Sequence, residues 1–134
     1  MLQLSNSAVQ TLAPGQSIIF DTVLVNKGEC GCCHRKNSPA VKLYKRGTTY
    51  DVSFNGNIGT TTADGVAELA IQLGGETLPE TMMTSETTAA GGLNNVFAHT
   101  LVPVCCNSYD RITVTNVGAS TINVDANSSL VITH

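Results

Sequence analysis

Charge is scarce in this chain of 134 residues. Asp, Glu, Lys and Arg together make up 13% of it, and the net charge is -3. Hydrophobic residues reach 42%, so the combination of low hydrophobicity and high net charge that keeps a chain disordered is absent. No basic excess marks a nucleic-acid footprint. No apolar run is long enough to cross a membrane. Met1 to Leu12 lacks both the cationic stretch and the apolar stretch of a signal peptide. The expectation is a protein made and matured in a reducing cytoplasm, where cysteines are not assumed to be paired.

The catalytic signatures are missing as well. There is no G-x-S-x-G elbow and no Gly-rich loop joining a strand to a helix. Cys32 or Cys33 beside His34 is a poor nucleophile–base pair, because adjacent residues on an extended loop point apart. His99 lies mid-strand, where a hydrogen-bonded or interface histidine is expected rather than a general base. The chain is therefore expected not to be an enzyme.

What is present is Thr, Asn, Ser and Gly among β-branched and aliphatic residues, a mixture that favours strands and turns over helices. Ser17 to Val25 is expected as a first strand. Its two faces are both apolar, with Ile18, Phe20 and Leu24 on one and Ile19, Val23 and Val25 on the other. Ala40 to Tyr44 makes a second strand. Thr49 to Asn55 alternates with Tyr50, Val52 and Phe54 inward. Val66 to Leu73 is composed of good helix formers. Its alternation and its bracketing by Asp64-Gly65 and Gly74-Gly75 nevertheless favour a strand of about eight residues. Glu76 to Asn95 is expected as a long loop with one short strand. Asn95 to Val104 is a strand whose Pro103 suggests an edge. Arg111 to Asn116, Thr121 to Asp125 and Ser129 to Thr133 complete an all-β, eight-to-ten-stranded antiparallel jelly-roll sandwich. The domain spans 17–134, and residues 1–16 form an N-terminal arm, either docking or disordered. Leu2, Leu4, Val9 and Leu12 supply its apolar positions.

Several runs carry a family resemblance. Ile19-Phe20-Asp21-Thr22-Val23-Leu24-Val25-Asn26 resembles the first strand of the complement-type globular head. Gly47 to Phe54, Val66 to Gly75, Tyr109 to Val114 and Ser129 to Ile132 are similar to later strands of the same fold, the tumour necrosis factor and complement-head jelly roll. The likeness covers about Ser17 to His134 and implies a tightly packed homotrimer. Phe54-Asn55-Gly56-Asn57-Ile58, Asn95-Val96-Phe97-Ala98 and the Cys105-Cys106 pair look like parts of small virion-associated proteins of phages infecting gut Firmicutes. Unlike the complement heads, this chain has no collagen-like stalk and no run of acidic calcium ligands.

Two sets of candidate residues follow. Cys30, Cys32, Cys33 and His34, with Cys105 and Cys106, concentrate the soft-ligand chemistry. They are open to three readings: a Zn²⁺ site, one or two disulfides, or inert packed thiols. No cofactor is certain, and zinc is the one considered. Ile19, Val23, Val25, Phe97, His99, Leu101 and Val131 are the candidate trimer interface. The basic cluster of His34, Arg35, Lys36, Lys42, Lys45 and Arg46 would serve phosphate contact, or more simply a solvated strand edge. The leading functional expectation is a phage virion protein, assembled in the host cytoplasm. It would act as a trimeric capsid decoration or head fibre docked on the major capsid protein through the arm. The alternative is a receptor- or glycan-binding tip module, with the polar segments Gly59 to Asp64 and Thr84 to Asn95 as contact loops. A secreted cytokine-like ligand is a third reading. Neither nucleic acid nor membrane is an expected partner.

Overall fold

The computed structural model describes residues 1–27, 32–34, 37–104 and 110–134, with only the backbone given at Cys32, Cys33 and Asp110. Thirteen strands occur among the described residues, and every pairing is antiparallel. They are β1 Leu2–Ser5, β2 Gln10–Leu12, β3 Thr22–Asn26, β4 Cys32–His34, β5 Val41–Leu43, β6 Thr48–Thr60 and β7 Gly65–Leu73. Then follow β8 Glu76–Thr77, β9 Met83–Thr87, β10 Asn94–Val104, β11 Asp110–Asn116, β12 Ile122–Val124 and β13 Ser129–Thr133. One turn of 3-10 helix, Pro79–Thr81, separates β8 from β9.

Sheet I has seven strands and is organised by β6. β10 runs along one side of β6, while β13 and then β12 share the other. Beyond β13 lie β1 and β3, and beyond β12 lies β2. Sheet II runs β4-β5-β11-β7, with β8 and β9 sharing the far side of β7. The core lies between the sheets. Tyr50, Val52 and Phe54 of β6 are fully buried, as are Leu69 and Ile71 of β7, Ile112 and Val114 of β11, and Leu130 and Ile132 of β13. Each such aliphatic or Phe side chain contributes roughly 1.5–3 kcal/mol through its removal from water. β7 is a strand with Ala67, Leu69 and Ile71 inward, as its alternation predicts.

Three expectations need correction. The strand count exceeds eight to ten, because short segments expected as loop or arm also pair. The first twelve residues are not a free arm. β1 sits between β13 and β3, β2 pairs with β12, and Leu2, Leu4 and Leu12 are buried. Leu2-Gln3-Leu4-Ser5 is a period-two pattern in its own right. Asn6, fully buried, then holds β1 to the other end of the chain. Its side-chain NH₂ donates to the carbonyls of Ala8 and Asp125, both at 3.0 Å. Its oxygen accepts from the Ser128 backbone N–H at 3.0 Å and from the Ser128 hydroxyl.

Ser17 to Val25 is not one strand either. Ile18 and Phe20 are buried, and their backbone N–H groups donate to Val114 and Ser38, on the sheet II side. From Thr22 the chain pairs with β1 in sheet I. The change of sheet breaks the alternation, so Leu24, expected on the same face as Ile18 and Phe20, is 55% exposed while those two are buried. Asp21 stands at the corner. Its carboxylate accepts from the Ser7 hydroxyl (2.5 Å), the Ser7 N–H (2.9 Å) and the Thr22 hydroxyl (2.9 Å). Those bonds, the Ser7 hydroxyl foremost, hold its pKa below the usual carboxylate value.

Candidate functional site

β10 alternates without a break. Val96, Ala98, Thr100, Val102 and Val104 point into the core, and Phe97, His99, Leu101 and Pro103 point out. Its only ladder partner among the described residues is β6, so it forms an edge of sheet I, and Pro103 lies near its end. The outward residues meet polar partners on β6: Phe97 stands opposite Asn55, His99 opposite Ser53, and Leu101 opposite Asp51.

The register extends one row across five strands, from His99 through Ser53, Val131 and Gln3 to Val25. Three of the predicted interface residues therefore share one line on the outer face of sheet I. Phe97 at 60% and Leu101 at 59% exposure flank it on β10. Val23 and Leu24 on β3 are exposed too, but the bulge in the β1–β3 register sets Val23 opposite the buried Leu4 rather than on this line. Ile19 is placed elsewhere. It is exposed in a groove with Gln10, Leu12, Ser17 and Asp21, and the Gln10 side chain bonds both its N–H (2.9 Å) and its carbonyl (2.5 Å).

His99 Nε2 lies 2.5 Å from an Asp51 carboxylate oxygen, and both side chains are about half exposed. Sequence reasoning missed Asp51 as a member of this face. The signal was available, since Asp51 is an outward position of the alternating Tyr50–Val52–Phe54 strand. In water such a pair is worth about 0–1 kcal/mol.

The cysteine constellation is only partly placed. Cys30, Cys105 and Cys106 lie outside the described residues. On the backbone, Cys32 is registered opposite Leu43, and Leu43 is registered opposite Asp110. His34 is engaged already: Nε2 is 3.0 Å from the Phe20 carbonyl oxygen, Nδ1 is 3.3 Å from that of Ala40, and the ring meets Phe20 edge-on. A metal-ligating imidazole must turn a lone pair to the ion, so this placement does not fit His34 as a zinc ligand. Among the described residues, no three His, Cys, Asp or Glu side chains cluster as a metal site would require.

The two polar segments expected as contact loops do converge. The Asp64 N–H donates to the Thr88 carbonyl, and the Gly91 N–H to that of Thr60. Between them lies an open groove of about 420 Å³ lined by Asp64, Val66, Glu86, Thr87 and Thr88. Gly59 is pressed against this junction, and a Cβ there would sit 1.7 Å from the Gly92 carbonyl oxygen.

Two antiparallel sheets facing each other across one core, with the first and last strands side by side, make a jelly-roll sandwich. Among solved structures the chain is similar to murine APRIL, with a TM-score of 0.63 and 10% identity over 99% of this chain and 97% of that one. It is more loosely similar to a CBM35 from Cellvibrio japonicus Abf62, with a TM-score of 0.47 and 11% identity over 99% and 93% of the two chains. No family model matches the chain, and no curated protein matches it in sequence.

Proposed function

We propose that this chain is a non-catalytic structural protein that works as a homotrimer, joined through the outer face of sheet I. The observation that carries the reading is the pair of large apolar side chains left in water on the edge strand of that face, Phe97 and Leu101 of β10. Two large apolar side chains, each about 60% exposed on one strand edge, fit a surface that meets a partner. The three-fold arrangement comes from the resemblance to the tumour necrosis factor type of jelly roll. The setting comes from the Phe54–Ile58 and Asn95–Ala98 motifs, which point to the shell of a phage particle, as a decoration or head-fibre protein. Attachment to the shell would use the folded surface, because Leu2, Leu4 and Leu12 are spent on the core.

Light scattering on the purified chain tests the assembly: a trimer is expected, and a stable monomer at micromolar concentration ends the reading. Copy number in purified particles tests the setting, with hundreds per particle expected.

A second reading, a binding module at the tip of a fibre, is favoured by the groove where the Thr60–Asp64 and Glu86–Gly91 segments meet. A few copies per particle, all at the fibre end, would replace the first reading by this one.

A further inference from the structure

Charge is nearly absent from sheet I. Of the seven Lys and Arg and the ten Asp and Glu in the chain, its seven strands hold one, Asp51 on β6. They hold two other titratable side chains. Tyr50 is buried in the core, and His99 is bonded to Asp51. The centre of a surface that becomes covered is ordinarily depleted of charge, and on this sheet the depletion leaves a single pair. That pair sits inside the apolar stretch of β10, because Phe97 and Leu101 are the outward neighbours of His99 on either side.

The charges that flank these strands lie past their ends. Asp21 and Lys27 bracket β3, Lys45 and Arg46 precede β6, Asp125 follows β12, and His134 follows β13 with its ring against Tyr50. The Met1 ammonium is bonded to the Lys27 carbonyl at 2.7 Å. Under β10, Glu80 of the 3-10 turn accepts from the inward Thr100 hydroxyl at 3.0 Å, and Glu86 of β9 lines the groove beside Asp64.

Asp51 accepts from His99 Nε2, so the ring keeps a hydrogen on that nitrogen in both charge states and gains its second at Nδ1. With the ring neutral, the pair carries one negative charge. With the ring protonated it carries none, and the hydrogen bond joins two full charges. In water the difference matters little. Covering the face removes the water, and an unpaired buried charge then costs far more than a paired one.

We propose that the His99–Asp51 pair makes assembly through sheet I depend on pH, each protomer taking up a proton at His99 as its face is covered. This regulation rests on the trimer proposed above. When the assembled state binds more protons than the free chain, association strengthens on acidification. It weakens as pH rises through the range where histidine loses its charge, about pH 5–8. Acid strong enough to protonate Asp51 leaves an unpaired cation instead, so association is strongest at about pH 5–6.

Sedimentation equilibrium of the full chain at about pH 6 and about pH 8.5, at one ionic strength, spans the histidine range. The trimer association constant is expected to fall by about thirtyfold or more between the two, a roughly threefold effect per protomer compounded over three. His99→Gln keeps a donor beside Asp51 and cannot take up the proton, so its constant should change by less than about threefold. In Asp51→Asn the direction should reverse, because His99 is then uncharged at the higher pH and unpaired when charged at the lower. Both positions are about half exposed, so both variants should keep the fold. A general effect of net charge would persist in His99→Gln and keep its direction in Asp51→Asn, and either result overturns the proposal. So does a trimer equally tight at both pH values, which leaves the assembly itself standing. A chain that is monomeric at both pH values overturns the assembly and its regulation together.

Discussion

The outward positions of β10 are Phe97, His99 and Leu101, and those of β11 that reach the surface are Arg111 and Thr113, Thr115 being buried beneath Ser17. Both strands turn β-branched or small residues inward, and both follow the same two-residue period. Their inward halves are nearly interchangeable, while their outward halves are not. β10 offers apolar side chains and one His–Asp pair to whatever covers it. β11 offers a guanidinium and one hydroxyl beside an open groove. The fold is thus carried by one half of each strand, and the surface chemistry that separates the two faces by the other.

The severest way to break this comparison is to break the frame that holds both faces. Gly59→Ala places a methyl group 1.7 Å from the Gly92 carbonyl oxygen. It should cost about 3 kcal/mol or more, since backbone must move on one side or the other. A urea unfolding midpoint would register the loss. Asn6→Ala comes next. It removes a buried amide that serves the Ala8 and Asp125 carbonyls and the Ser128 N–H. Leaving those groups unpaired should cost about 2–3 kcal/mol, read from the same midpoint.

A third substitution separates the faces rather than the frame. Leu101→Asp adds charge to a side chain that is already 59% exposed. The isolated fold should lose about 1 kcal/mol or less, because the new carboxylate faces Asp51 across the ladder. Self-association should weaken by at least a hundredfold, measured by sedimentation equilibrium.

The smallest effect is set by pH at the corner between the sheets. Asp21 has its folded-state pKa lowered by the Ser7 and Thr22 hydroxyls. Its contribution to stability is therefore fully present above the unfolded carboxylate value and is lost as pH falls through the folded one. Asp21→Asn should lower the thermal midpoint slightly at neutral pH. The difference should shrink toward pH 2, and a gap that widens on acidification would contradict the assignment.

Much of the core was legible because β6, β7, β10 and β11 are long enough for the two-residue period to stand out. Tyr50-Val52-Phe54 and Val96 to Val104 needed nothing else. The failures come where a segment is short or changes sheet. β1 shows only two apolar residues, which a docking arm would show equally well. Ser17 to Val25 reads as one strand with two greasy faces because the crossing at Asp21 resets which side points in. The candidate face was half visible. Phe97, His99, Leu101 and Val131 follow from alternation, but Asp51 becomes a partner of His99 only once β6 and β10 are in register, and register is a long-range property. The groove on sheet II was less visible still, because Ser17, Gln72 and Arg111 come together from three distant parts of the chain.

β1 and β13 lie side by side and antiparallel, with Leu2 opposite Ile132. The segment before Leu2 and the segment after Thr133 therefore leave from the same pole of the sandwich, about one strand spacing apart, near 5 Å. A few flexible residues would splice them, which makes the domain a natural candidate for circular permutation or for tandem copies on a single polypeptide. By the same geometry, a peptide grafted at either end would emerge from one pole and leave the opposite pole bare.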